Sequence, residues 1–355
     1  RSVVAHAQLF EESAGVSALP MALAFSMYLL CHNKSLSDSC GTCASCKKIL
    51  KVIHPDVHFF FPSKSAGTIK SGSKESFPEF QKQLINNPYF SETEWYASNN
   101  MKNAGEIRVS DARVINKIAN LKSYEGGFKI FIIWHAEKMN TEACNKLLKN
   151  IEEPHSNTVF ILITKSANLL LPTIKSRLQS KVFKKLKIET LKDKIQKLYP
   201  DLTKDDLDSR IHTFNHNYNN IIQYFAGKVE QDDNYNMFVD WVRLCFLSIN
   251  RKQTSDLIGL CNTIAALEKS KQQNFIKTSL ELFRCGYLLK YQPDIRLPKI
   301  TSDNFNFGKF ANRIKSNNII ELVKVLNNAF YSIERYANSK ILLLDLSFSI
   351  GKLLH

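Results

Sequence analysis

The chain has 355 residues, 44% hydrophobic and 23% charged. These values suit a globular protein with a real core and exclude a disordered, collagenous or small disulfide-stapled chain. At about 150 residues per domain the length predicts two or three domains. Lys and Arg number 48 against 33 Asp and Glu, a formal charge of +15, which suits nucleic acid or an acidic protein surface as partner and says nothing of fold.

In chain order, residues 5–10 read as a short strand, Gly15 sits in a turn, and an apolar helix runs to Leu30. The apolar run Leu19 to Cys31 is too short to span a bilayer and lacks the flanks of a secretory signal, so no membrane and a cytoplasmic location are expected. The chain begins at Arg1 rather than methionine, so preceding residues are expected to be missing. Four cysteines follow the helix, and Asp56 to Phe61 reads as a buried strand ended by Pro62. From about 63 to 105 Ser, Lys, Asn and Gly dominate, interrupted by Phe77, Phe80, Phe90 and Trp95. This predicts a long, partly ordered insertion with a structural role. Ser110 to Leu121 reads as a helix with Ser110 as N-cap. Lys129 to Trp134 and Thr158 to Thr164 are continuous apolar strands of the kind covered on both faces of a parallel sheet. The helix Thr141 to Glu152 lies between them, and Lys181 to Phe183 reads as a third strand. Strand alternating with helix predicts a doubly wound α/β domain.

Beyond Lys187 strand signals stop. Ile188 to Gly227 reads as a small helical unit and the rest as a larger one. In it Ile276, Leu280, Phe283 and Tyr287 share one helical face, and Ile319, Leu322, Val323, Leu326 and Phe330 another. Pro293 to Asn312 reads as a loop. The expected divisions are 1–187, 188–230 and 231–355.

The cysteines carry the strongest chemical signal. Cys31, Cys40, Cys43 and Cys46 have gaps that let the backbone turn successive sulfurs toward one centre, and Gly41 can supply the turn. Four thiolates make a closed tetrahedral zinc site with no open position, hence a structural metal. Disulfides do not suit a cytoplasmic protein, and the spacing does not match the common ferredoxin patterns. His32 and His54 are not expected to ligate. Cys144, Cys245, Cys261 and Cys285 lie among apolar residues and read as core.

Glu12 to Leu19 stands where a phosphate-binding loop G-x-x-x-x-G-K-[ST] would lie between a strand and a helix. Glu12 replaces the first glycine, Ser17 the second, Ala18 the lysine and Leu19 the hydroxyl residue, with Gly15 inside the turn. No cation is left for phosphates. Trp134 and His135 end the strand that would carry the magnesium aspartate, and neither suits magnesium. His135 reads as a packed or surface side chain. Both losses argue against ATP or Mg2+ binding. Ser176 and Arg177 follow the second apolar strand, and Pro172 places them early in a helix. Arg177 read alone is a surface charge, although its planar fork suits phosphate. Lys165 to Ile188 carries seven cations and no acid before Glu189, a stretch that suits either a nucleic-acid backbone or a solvated face.

Taken together, His6-Ala7 with Leu9-Phe10, the four cysteines, His54-Pro55-Asp56, Glu125-Gly126-Gly127-Phe128-Lys129, Asn145 to Pro154, Ser176-Arg177, and Arg335 with Asn338-Ser339-Lys340 resemble the delta-prime family of bacterial DNA polymerase III clamp-loader subunits, of the AAA+ class. Departures are Leu178 in the Ser-Arg-Cys motif, Asn220 at the lid arginine that senses nucleotide, a longer insertion and a shortened first helix. The resemblance implies an AAA+ domain with a zinc module, a helical lid and an all-α collar. It implies a non-hydrolysing subunit that helps load the sliding clamp onto primed DNA, with gamma/tau motor and delta subunits as partners. Arg177 would then be an arginine finger serving a neighbouring ATPase in trans, with Ser176 beside it. The alternatives are an active clamp-loader-type ATPase and a free-standing zinc-dependent DNA-binding protein.

Overall fold

The computed structural model describes residues 4–12, 16–64, 72–101, 105–214, 216–226, 234–249, 254–291, 305–335 and 337–355. The chain divides into two compact units, Arg1–Lys194 with Asn215–Ile222, and Ile195–Phe214 with Gln223–His355.

The first unit is built on five strands, β1 (Ala7–Glu12), β2 (Val57–Phe60), β3 (Lys129–Trp134), β4 (Thr158–Thr164) and β5 (Gln179–Phe183). All pairings are parallel and the order is β2-β3-β4-β1-β5. Every residue of β3 and β4 is buried, because apolar layers cover both faces. Alternation sends Ile130, Ile132, Trp134, Ile161 and Ile163 to one face and Phe131, Ile133, Phe160 and Leu162 to the other. The helices are α1 (Leu19–Leu30), α2 (Ala44–Leu50), α3 (Phe77–Asn86), α4 (Glu92–Ser98), α5 (Val109–Ala119), α6 (Thr141–Glu152) and α7 (Pro172–Lys175).

The segment expected to be a partly ordered insertion supplies α3 and α4, and residues 65–71 and 102–104 lie outside the described residues. Three of its aromatic residues are core: Phe80, Phe90 and Trp95 are at most 2% exposed. Phe80 stacks on Phe61 at 3.9 Å and 4°, Trp95 meets Phe61 edge-on at 5.2 Å, and Phe90 lies 4.9 Å from Trp134. The segment is stitched to the sheet where it leaves and rejoins it. Ser63 and Glu106 form an antiparallel bridge, Trp95 Nε1 donates to Pro62 O at 2.8 Å, and Ser73 Oγ donates to Phe61 O at 3.0 Å. Asn219 Nδ2 donates to Glu94 Oε2 at 3.3 Å, within the same unit.

The helix expected from Ser110 begins at Val109, and its N-cap is Arg108 rather than Ser110. The Asp111 carboxylate decides this, accepting the Arg108 N–H at 3.0 Å and the Ser73 N–H at 2.8 Å.

The remaining helices are α8 (Ile188–Leu198), α9 (Lys204–Thr213), α10 (Tyr218–Phe225), α11 (Asn234–Ser248), α12 (Thr254–Ala266), α13 (Lys269–Leu288), α14 (Phe307–Ala311), α15 (Ile319–Glu334) and α16 (Ser339–Leu354). The core of the second unit includes Phe238, Trp241, Phe275, Phe283, Leu322, Leu326 and Ile350. Ile276 and Phe283 of one expected face are buried, with Leu280 and Tyr287 half-buried beside them. Trp241 Nε1 donates to Ser347 Oγ at 2.7 Å. Cys144, Cys245 and Cys261 are buried and Cys285 is half-buried. The expected loop from Pro293 contains α14, and residues 292–304 lie outside the described residues. Among the described residues no helix is long and apolar enough to cross a membrane.

Candidate functional site

Cys31 ends α1, Cys40 precedes the left-handed Gly41 (φ +69°), Cys43 is the N-cap of α2, and Cys46 lies in its first turn. All four sulfurs lie within 4.8 Å of one another, with Cys31–Cys40 at 3.5 Å, Cys40–Cys46 at 4.0 Å and Cys31–Cys43 at 4.0 Å. A tetrahedral ion with Zn–S bonds of about 2.3 Å needs sulfurs about 3.8 Å apart, so the cluster can hold a metal ion and is compatible with zinc. Backbone N–H groups of Thr42 and Cys43 hold the Cys40 thiol down at about 5, and those of Cys46 and His32 lower Cys43, which favours thiolates. Burial pushes Cys46 up to about 12.

His32 is exposed, and His54 is engaged elsewhere. His54 Nδ1 accepts the Asp56 N–H at 3.1 Å, which leaves Nε2 to carry the proton toward Ser45 Oγ at 3.0 Å and Glu125 Oε2 at 3.2 Å. Burial lowers its pKa, opposed by Glu125 and Asp56. The Asp56 carboxylate accepts the Tyr124 and Glu125 N–H groups at 2.6 and 2.9 Å. The His-Pro-Asp stretch therefore ties the cysteine module to the turn that leads into β3.

At the C-terminal rim of the sheet, Glu12 ends β1 and its Oε2 accepts the Ala18 N–H at 2.8 Å, at the start of α1. A carboxylate of the chain itself thus meets the helix end that a phosphate would otherwise meet. Ala18 and Leu19 are fully buried, Ser17 is half-buried, and Gly15 lies outside the described residues. Burial raises the Glu12 pKa, against His135, the Ala18 N–H and Lys165. Trp134 is buried; His135 is packed, in left-handed backbone (φ +54°), with Nδ1 3.0 Å from Glu137 Oε1.

Sequence reasoning missed a further group on this rim. Glu92 of α4 is 8% exposed and paired with Lys138 at 3.3 Å and with Lys165. Tyr96 donates its hydroxyl to Glu92 Oε1 at 2.7 Å. Burial alone would raise the Glu92 pKa, but His135, Lys165 and Lys138 outweigh it and hold the carboxyl at about 2. No local motif marks the pair, since Lys165 and Glu92 are 73 residues apart.

Ser176 and Arg177 do not sit early in a helix. Pro172 opens α7, which lasts only to Lys175 because the chain must straighten into β5 at Gln179, and Ser176 is its C-cap. Arg177 is held instead by its fork: Nε pairs with Glu152 at the end of α6, and Nη1 donates to Thr173 O at 2.6 Å. Its side chain is 37% exposed. Leu178 packs against the sheet core and Asn220 is exposed. Of the basic stretch, Lys175, Lys181, Lys184 and Lys187 are exposed, while Lys165 is taken by Glu92.

A parallel sheet in this strand order, with a strand-to-helix turn at the rim, fits an AAA+ fold. The model of the family "DNA polymerase III, delta subunit" matches residues 1–187, and the chain belongs to this family. The chain is 28% identical over 177 residues to the DNA polymerase III subunit delta' of Pseudomonas aeruginosa, covering 50% of this chain and 42% of that protein. It is 29% identical over 192 residues to the Bacillus subtilis subunit delta', covering 54% of this chain and 46% of that protein. These matches thus span less than half of each relative's length. A gamma subunit-related protein of Thermotoga maritima aligns over 98% of this chain and 94% of its own at 15% identity, with a TM-score of 0.42, too loose to bear on function.

Proposed function

We propose that this chain is a non-hydrolysing, delta-prime-type subunit of a cytoplasmic DNA polymerase III clamp loader. The observation that carries the reading is the Glu12 carboxylate at the start of α1, bonded to the Ala18 N–H within a member of this family. With alanine at the lysine position of the turn and Trp134 and His135 at the end of β3, these positions offer neither the lysine that usually meets the β- and γ-phosphates nor the carboxylate that usually holds magnesium. Its partners are the gamma/tau motor and delta subunits, and through the assembled complex the sliding clamp and primer-template DNA. Residues 188–230 serve as the lid and 231–355 as the oligomerising collar.

In this reading Arg177 works in trans. Its guanidinium leaves Glu152 for the γ-phosphate of a neighbouring motor subunit and stabilises charge that develops there during hydrolysis, an effect worth roughly 10³ or more at one site. Ser176, whose Oγ accepts from Nη1 at 3.4 Å, orients the fork. Cys31, Cys40, Cys43 and Cys46 hold a structural zinc, which when bound cross-links the end of α1 to the start of α2 and leaves no position for a substrate.

Equilibrium titration of the chain with labelled MgATP tests the first part. No saturation in the micromolar range is expected, and micromolar affinity refutes the reading of the loop. Arg177→Ala tests the second: folding and assembly persist, while DNA-stimulated ATP hydrolysis by the reconstituted complex falls severalfold. An unchanged rate refutes the finger.

A further inference from the structure

Three neighbouring strands of the sheet deliver charge to one place. Glu12 ends β1, His135, Glu137 and Lys138 follow β3, and Lys165 follows β4. Strand order reverses between β4 and β1, and ligands of open parallel sheets gather beyond the carboxyl ends of strands at such a switch. Into this place α4 inserts Glu92, whose two oxygens receive Lys138, Lys165 and the Tyr96 hydroxyl. A buried carboxylate is tolerated only when it is paired and hydrogen-bonded, and here the pairing is complete. Two ammonium groups and a hydroxyl converging on paired oxygens form the donor set that holds one face of a phosphate. The lysines are open to water, at 30% and 49% side-chain exposure, whereas Glu92 is 10% exposed.

We infer that Lys138 and Lys165 form an oxyanion clamp that this chain fills with its own Glu92, so that α4 is an intramolecular ligand competing with an external oxyanion of the phosphate class. The inference rests on the reading of the Glu12–Leu19 turn as non-functional, since an external oxyanion would be held by the two lysines without a loop lysine. Glu92 therefore does two things at once: it fixes the inserted segment to the rim, and it supplies the negative charge that Lys138 and Lys165 attract, beside the carboxylates of Glu12 and Glu137. Competition between a tethered and a free anion makes the packing of α4 sensitive to the free anion's concentration.

The test uses the full chain with inorganic triphosphate as probe, titrated calorimetrically at low salt into wild type, Glu92→Gln and Glu92→Gln/Lys165→Gln. Glutamine keeps the shape and the hydrogen bond from Tyr96 but removes the competing charge. Glu92→Gln is expected to bind at least about tenfold tighter than wild type, the size of one charge-assisted contact, and the double variant is expected to lose that gain. Equal affinities of wild type and Glu92→Gln, or a gain that survives Lys165→Gln, overturn the clamp. If Glu92→Gln does not fold, amide exchange in wild type decides. Saturating triphosphate should speed exchange of residues 93–98, and unchanged exchange overturns the inference. Micromolar MgATP binding by wild type sinks the reading of the turn instead and leaves the glutamine comparison to be judged by itself.

Discussion

Phe80→Ala asks whether the 63–105 segment is part of the core or an excursion from it. Phe80 is fully buried, stacked on Phe61 at 3.9 Å, edge-on to Trp95 at 5.4 Å and to Phe90 at 5.5 Å, and 5.7 Å from Trp134. Truncating a buried phenylalanine costs about 3–5 kcal/mol through lost transfer energy and the cavity left behind. Aromatic pairs add about 0.5–1.5 kcal/mol beyond buried area, so a loss of about 4 kcal/mol is expected. That is a large part of the ~5–15 kcal/mol that stabilises a domain. Trp95 and Trp134 lie in the first unit and Trp241 in the second, so on a Trp241→Phe background fluorescence reports the first unit alone. With a urea dependence of about 2 kcal/mol/M, the midpoint should fall by about 2 M. A fall below about 0.5 M, or a loss under about 1 kcal/mol, would refute the claim that α3 and α4 are integral.

Elemental analysis should find one zinc per chain and no iron, and Cys43→Ser should release the zinc, because a serine hydroxyl stays protonated where a thiolate is needed; stoichiometric zinc in the variant contradicts the four-sulfur site. Lys129 is 4% exposed, and its Nζ caps the end of α5 by donating to Ile118 O and Ala119 O at 2.9 Å each and to Leu121 O. Lys129→Met should therefore cost about 3 kcal/mol in urea unfolding, by stranding buried carbonyls, and a loss under about 1 kcal/mol would count against the cap. Because the Glu92 carboxyl is held at about 2, below its usual 4.5, the clamp's stabilisation is complete above the usual value and fades as pH falls through the held one. The stability gap between wild type and Glu92→Gln should be flat above about pH 5 and shrink on acidification, and a gap that widens in acid shows the sign to be wrong.

The sheet was readable because β3 and β4 are uninterrupted apolar runs, a pattern that only double-sided burial makes favourable. The cysteine cluster was readable because its four cysteines lie within 16 residues of sequence, from Cys31 to Cys46. α3 and α4 were not. Their polar composition gave no helix signal, and although aromatic residues stood out there, their partners, such as Phe61 and Trp134 against Phe80, come from elsewhere in the chain. Ser110 looked like a cap by type, yet Asp111 took the Arg108 N–H at the helix start. Arg177 was identifiable as a residue but not in its setting, because its fork depends on Glu152, 25 residues away. The Glu92 clamp carries no sequence signature, since ion pairs across a rim have no required spacing.

The bridge between Ser63 and Glu106, with N–H···O distances of 3.2 and 3.3 Å, makes the inserted segment leave and re-enter the sheet at one point. Such a segment can be gained or lost in a single genetic event without re-threading a strand. Its contacts oppose that freedom, because excision would expose Phe61 and Trp134, now at most 2% exposed, as an apolar patch open to aggregation. Lineages that lack the segment are therefore expected to carry smaller or more polar side chains at these two positions, and the acquisition of the segment and the change at its seat would be inherited together.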